Sequence, residues 1–311
     1  MMAKKQCAYV RVDVFAKKPF GGNPLAVFTD ARGLTTRDMQ LLAKEMNLSE
    51  TTFVLPASRG SGADAKVRIF TPDMEIPYAG HPTIGTFYVL ANEGKIRLRD
   101  GVTVAKMEAG AGILPVEIHS SGGVVKKVVT VQRKPEFGDE FEDIGLLADA
   151  LSVDRKDFDL RRAPPQLVST GLPWLMVPLR SRKAIEDITV NTAAFEKVVG
   201  RLPKNVVDVY VTSLDPIDRR ATTHSRAFFL SSGSIIEDPA TGSASGCLGA
   251  YLVGRRLVDV KRKTRIVNEQ GHAVNRPSMI SIEVGTDTDG TIKSVRVGGA
   301  VVEVMRGVAS F

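Results

Sequence analysis

The sequence predicts an α+β protein of two pseudo-symmetric domains, each a curled, mostly antiparallel sheet around a central helix. Three observations lead there. The 311 residues exceed ordinary single-domain size. Five short segments recur in the same order in the two halves of the chain. Two stretches, one per half, are small and apolar on every side, the pattern of a helix wrapped by other structure.

The clearest repeat pairs Glu75-Ile-Pro-Tyr-Ala-Gly-His81 with Glu237-Asp-Pro-Ala-Thr-Gly-Ser243, at an offset of 243 − 81 = 162. Around it, Gly22-Asn23-Pro24 recurs loosely as Gly171-Leu172-Pro173, Thr52-Phe53-Val54 as Val209-Tyr210-Val211, and Arg68-Ile-Phe70 as Arg226-Ala-Phe228. The hairpin pattern from Val116 to Val128 returns from Ile282 to Val295. Five pairs in one order imply duplication, and duplicated halves are expected to pack about a pseudo-twofold axis with equivalent loops facing across a cleft. The boundary falls near residue 130, giving domains 1–130 and 131–311, with the last strand able to return to the first domain. Residues 9–15, 26–28, 52–55, 67–70, 116–119 and 124–131 are short, β-branched and bounded by Gly, Pro or Asp, which predicts strands. Residues 36–46 and 192–199 have helical spacing with a polar face, as outer helices do. The central helices are 83–91 and 244–253.

Composition narrows the function. The chain is 43% hydrophobic and 25% charged with a net charge of +7, ordinary for a globular protein. Its basic residues are scattered pairs apart from Lys261, Arg262, Lys263 and Arg265, a run without interleaved aromatics that reads as a solvated face. No nucleic-acid partner is implied. No apolar run is long enough to cross a bilayer and no secretory leader is evident, so a cytoplasmic address without membrane attachment is expected. Two cysteines suit neither a disulfide framework nor a zinc site. His119, His224 and His272 lie in dissimilar surroundings without metal-like spacing, so no metal is expected, and the absence of nucleotide-binding motifs predicts no cofactor.

Both central helices open on the repeated motif, at Gly80-His81 and Thr241-Gly242-Ser243. Glycine lets a ligand approach the backbone, and unsatisfied N–H groups with the helix dipole favour an anion. Such an arrangement suits abstraction of a proton next to a carbonyl or conjugated system. Asn23, Gly80, Thr241 and Gly242 are therefore candidate substrate-binding positions for a small anionic or amino-acid-like molecule. The base is expected at Glu50, where an outer helix gives way to an apolar strand. By the Thr52-Phe53-Val54 pairing it falls opposite Val207, which makes it a single base. Asp238 and His81 are expected to hydrogen-bond across the cleft, with His81 orienting substrate or donating to a developing oxyanion.

The phrases VDVFAKKPFGGNPLAVF (12–28), NLSETTFVL (47–55), RIFTPDMEIPYAGHPTIGT (68–86), EDPATGSASG (237–246) and EQG…NRPS (269–278) resemble the phenazine-biosynthesis PhzF-like isomerase family. That resemblance spans nearly the whole chain and implies a diaminopimelate-epimerase-like fold and a homodimer. It implies Glu50 as the catalytic acid/base, with His81, Asp238 and Ser243 around the substrate. The best-known activity of the family is isomerisation of trans-2,3-dihydro-3-hydroxyanthranilate. Related epimerases place a cysteine in each helix-start loop, and here those loops read AGHP and PATGSA. Cys247, one helical turn beyond Ser243, reads as a small buried apolar residue. A proton-shift isomerase is the expected function. The rivals are a carboxylate-based epimerase or racemase and a catalytically idle small-molecule binder of the same fold.

Overall fold

The computed structural model describes residues 5–231 and 233–311, which form two compact units. The first comprises the described residues up to Thr130 together with Gly298–Phe311, and the second is Val131–Val297.

The first unit contains β1 (Gln6–Val14), β2 (Asn23–Phe28), α1 (Thr36–Met46), β3 (Thr51–Leu55), β4 (Ala65–Phe70), β5 (Glu75–Ile76), α2 (Gly80–Asn92), β6 (Gly101–Ala109), β7 (Gly112–Ser121) and β8 (Val124–Val131). The strand Val301–Ser310 pairs antiparallel with β1 along its whole length. On the other side of β1 lies β2, also antiparallel, then β3 in parallel and β4 antiparallel. β5 and β6 both pair with β4, and the β6–β7–β8 meander follows. One face of β2–β4 is covered by the amphipathic α1, around stacked Phe28 and Phe53 (4.8 Å between ring centroids) with Phe70 edge-on to Phe53. The other face holds α2, which packs on β1, β2 and β7 and leaves only Gly80, Tyr88 and Asn92 unburied. Contact there is so close that a Cβ on Gly85 would lie 2.6 Å from Leu25 and 2.9 Å from Val14.

The second unit contains β9 (Glu136–Glu140), α3 (Ile144–Leu151), β10 (Gln166–Ser169), β11 (Pro173–Pro178), α4 (Arg182–Glu186), α5 (Thr192–Arg201), β12 (Val209–Ser213), β13 (Thr223–Ser231), β14 (Ser234–Asp238), α6 (Gly242–Gly254), β15 (Lys263–Gln270), β16 (Ser278–Thr286) and β17 (Ile292–Gly299), which leaves Val301–Ser310 as β18. Its pairings repeat those of the first unit. β11–β12 is parallel like β2–β3, β12–β13 and β13–β14 are antiparallel, and β13–β15 is parallel like β4–β6. α3, α4 and α5 cover one face of its sheet with an apolar cluster that includes Leu147, Ile185 and Phe195. α6 is buried apart from Ser243 and Gly254. The basic run at 261–265 is exposed apart from Thr264, with Lys261 near Asp259 (3.1 Å) and Arg265 near Glu283 (3.6 Å).

The paired registers correct one element of the sequence repeat. Thr51 lies opposite Phe70 and Val209 opposite Phe228, so the equivalent of Tyr210 is Thr52, not Phe53. In a strand a one-residue slip sends every side chain to the opposite face. Thr52 points inward and its hydroxyl meets Thr86 of α2 at 2.8 Å, just as Tyr210 points inward to Ser245 of α6 at 3.4 Å. Phe53 points to the outer cluster. The true counterpart of Glu50 is therefore Asp208, not Val207.

Asp208 is buried and accepts a 2.7 Å hydrogen bond from the Leu230 backbone N–H, yet burial still pushes its carboxyl up to about 6. A carboxyl whose pKa rises on folding stabilises the native state at low pH, and that contribution is lost as pH climbs from about 4 through 6. Asp208→Asn keeps an acceptor for Leu230 but cannot ionise. It is expected to raise stability at pH 7.5 by about 1–2 kcal/mol, with a smaller gain at pH 5, as read by urea unfolding at the two pH values. A gain that did not depend on pH would contradict the burial argument.

Candidate active site

In both units the strand register delivers the chain to the start of the buried helix in the same way. Arg68 on β4 grips Glu75 on β5 through two hydrogen bonds of 2.7 and 2.5 Å, with its guanidinium 5.1 Å over the Phe70 ring. Arg226 on β13 grips Glu237 on β14 at 3.0 and 2.7 Å, with its guanidinium 4.8 Å over Phe228. These forked pairs fix planar groups in register. They account for the glutamate that opens each repeated motif, a few residues ahead of the helix.

In the first unit, Asn23 opens β2 and Glu50 directly precedes β3, its parallel neighbour, so both leave the same end of the sheet. β4 runs antiparallel and ends there too, at Phe70 opposite Thr51, and β5 carries the chain on to α2. Asn23 is fully buried beside Gly22, whose φ of +66° holds a position where a Cβ would come within 2.1 Å of the Val14 carbonyl oxygen. Ala79, the residue capping α2, has no side-chain acceptor, so the first-turn N–H groups near Gly80 and His81 carry no side-chain cap. His81 is buried, and its Nε2 makes no hydrogen bond but faces Oε2 of Glu50 at 3.4 Å. Burial lowers the imidazole pKa to about 3, so His81 is neutral near pH 7 and the contact is not an ion pair. A carboxylate and a neutral imidazole thus converge from two elements at an uncapped helix start.

In the second unit the cap of α6 is diverted. The Thr241 hydroxyl donates to Oδ2 of Asp238 at 2.5 Å instead of turning into the helix. Gln270 locks this arrangement: its amide N–H groups reach the Asp238 carbonyl (2.7 Å) and the Thr241 hydroxyl (3.0 Å), while its carbonyl oxygen accepts from Thr241 N (3.0 Å) and the Tyr210 hydroxyl (2.9 Å). Asn268 then donates to Tyr210 and Ser245. Tyr210, Ser245, Asn268 and Gln270 are all fully buried. Such a closed polar network is rigid, because any broken member leaves a desolvated group. Ser243, one residue past Gly242, is half-buried and its hydroxyl accepts from the Trp174 indole N–H at 3.2 Å. Of the predicted residues, Glu50, His81, Asn23 and Gly80 therefore gather in the first unit, and Asp238, Thr241, Gly242 and Ser243 in the second.

Sequence reading did not single out Tyr210, Gln270, Asn268 or Trp174 as site residues. Only the EQG phrase contained a hint, in Gln270. Cys247 is fully buried against Thr170 and the Leu172 carbonyl, and burial pushes its thiol up to about 12, so it holds no thiolate near neutral pH. The histidines require a correction: His224 and His272 do not have dissimilar surroundings, because the parallel pairing of β13 with β15 brings them together beside Glu269. Among the described residues no helix is long and apolar enough to cross a membrane.

Comparison with known proteins is consistent over the whole chain. The profile of the phenazine biosynthesis-like protein family (PhzC-PhzF) matches residues 12–307. An uncharacterized isomerase of Clostridium acetobutylicum is 35% identical over 304 residues, covering 97% of each chain. The trans-2,3-dihydro-3-hydroxyanthranilate isomerase of Pseudomonas chlororaphis is 33% identical over 300 residues, 96% of this chain and 98% of that one. The crystal structure of a PhzF-family phenazine biosynthesis protein from Bacillus anthracis superposes with a TM-score of 0.87 at 29% identity, over 98% of this chain and 99% of its own.

Proposed function

This chain belongs to the phenazine biosynthesis-like (PhzC-PhzF) family, and from that premise we propose that it is a cofactor-independent isomerase that shifts a proton within a small carboxylate substrate, with Glu50 as general acid/base. The observation that carries the reading is the convergence of Glu50 Oε2 and His81 Nε2 at 3.4 Å beside the uncapped start of α2.

In this reading the Glu50 carboxylate removes a proton from a substrate carbon next to an unsaturated or carbonyl group. The electron pair left behind delocalises onto oxygen or along the conjugated system. Neutral His81 hydrogen-bonds to that developing charge without a formal charge of its own, and the helix-start N–H groups add to the stabilisation. Glu50, now a carboxylic acid whose proton exchanges with solvent, delivers a proton to a different carbon, so the double bond moves and no net proton is gained or lost. In the second unit, Ser243, Thr241 and Gly242 are candidate positions for polar groups of a substrate, and Asp238 is held in one orientation by Thr241. Asn23 fixes the entry to β2 and Gly80 leaves room for backbone contact.

The test is incubation of the protein in heavy water with trans-2,3-dihydro-3-hydroxyanthranilate, on which the Pseudomonas relative acts, and with a panel of small unsaturated cyclic and amino-acid-like carboxylates. The expected result is deuterium at a substrate carbon together with a changed ultraviolet spectrum. Deuterium uptake with inverted optical rotation and an unchanged spectrum would identify an epimerase instead. Tight binding without any carbon-bound exchange would identify a binding protein.

A further inference from the structure

In each unit a carboxylate on the strand parallel to β4 or β13 clamps a surface loop. In the first unit, Glu108 accepts from the Ser58 N–H (2.7 Å) and hydroxyl (2.6 Å), and Lys66 of β4 lies 3.0 Å away as its counter-charge. In the second, Glu269 takes the matching position: Lys66 pairs with Glu108 across the strands as His224 pairs with Glu269. Glu269 accepts from the Ile217 N–H (2.5 Å) and Asp218 N–H (2.9 Å) and from His224 Nδ1 (2.9 Å). Loop clamping therefore explains Glu108, Lys66 and Glu269. It does not explain His272, which the clamp in the first unit does without.

His272 sits in the turn after β15, its ring centroid 5.4 Å from that of His224. Its Nδ1 is buried and makes no hydrogen bond. A buried polar atom without a partner is costly, and an ion is one of the few things that satisfies it. One ligating atom from each of His224, Glu269 and His272 lies within 4.8 Å of the others.

We propose that His224, Glu269 and His272 form a binding site for a zinc-like divalent transition ion in the second unit, separate from the residues assigned to catalysis. Two imidazoles and a carboxylate suit zinc and its neighbours rather than magnesium or calcium, which favour all-oxygen shells. Bonds of about 2.0–2.1 Å in a tetrahedral shell set ligand atoms about 3.4 Å apart. The widest pair must therefore close by at most about 1.4 Å. His224 and Glu269 are fixed by paired strands, whereas His272 is half-exposed on a turn and can swing inward. The Glu269 carboxylate keeps its two backbone donors and serves the ion with a remaining lone pair. The proton between it and His224 leaves as the ion enters. Three protein ligands leave one coordination position for water.

The experiment is calorimetric titration of the chelator-treated full chain with Zn²⁺, and with Co²⁺ followed by its visible absorption. One equivalent should bind, Co²⁺ should show the intense bands of a tetrahedral site, and Zn²⁺ should raise Tm. His272→Ala should weaken binding by roughly 100-fold or more while changing the Tm of the metal-free protein little, because its ring is half-exposed on a turn and its buried Nδ1 makes no hydrogen bond. His119→Ala serves as the control and should bind like wild type. Absence of binding by the wild-type chain, or equal affinity in His272→Ala, would overturn the proposal.

Discussion

Glu50→Gln is expected to slow turnover by roughly two to four orders of magnitude with little change in substrate affinity. Glutamine keeps the shape and an acceptor oxygen but cannot take a proton. Binding should persist because the helix-start N–H groups near Gly80 are untouched. Stability should change little, since glutamine matches the size of Glu50 and the imidazole that faces it, His81, is neutral. The measurement is deuterium uptake from heavy water, followed by NMR, on any ligand that the wild-type protein exchanges. Undiminished exchange in the variant would remove Glu50 as the base and turn attention to Asp238, the other carboxylate at a helix start.

The second large effect is structural. Gly271 follows Gln270 with a φ of +83°, and a Cβ there would lie 2.4 Å from the carbonyl oxygens of both Arg276 and Pro239. Neither oxygen can move freely: the Ser278 hydroxyl lies 2.9 Å from each. Pro239 belongs to the loop that carries Asp238 and Thr241, so a side chain at 271 pushes directly on that loop. Gly271→Val should cost about 3 kcal/mol or more, combining left-handed strain in a β-branched residue with two backbone clashes. Gly290 provides the comparison, with a φ of +89° and nothing near its missing Cβ. Gly290→Val carries the strain without the clash and should cost about 1–2 kcal/mol. Equal urea midpoints for the two variants would show that the contact with Pro239 and Arg276 is unimportant.

The repeat, the strands and the central helices were legible because each has a local cause: alternation, bounding glycines and prolines, and all-round apolarity. Glu50, His81, Asp238 and Ser243 are legible as candidates because they sit in or beside the repeated motif and the family phrases. What failed was non-local. The sequence repeat aligns Tyr210 with Phe53, but the register pairs it with Thr52, and Tyr210 is held inward because Asn268, Gln270 and Ser245 all hydrogen-bond to its hydroxyl. No sequence spacing joins His224 to His272 until β13 and β15 are known to be parallel neighbours. α3 and α4 escaped because both are short, and their ends are set by the Asp143 and Ser181 caps more than by periodicity.

The pairing of β1 with β18 also has a consequence for how the protein is made. Residues 131–297 emerge from the ribosome as one uninterrupted stretch. The first unit is synthesised earlier but must wait, because β1 keeps one edge open until the last strand arrives from the far end of the chain. An open strand edge is a template for unwanted pairing, and a closure between residues some three hundred positions apart is intrinsically slow. The half synthesised first is thus the half completed last, and nascent chains stalled before Val301 should be the ones that engage chaperones.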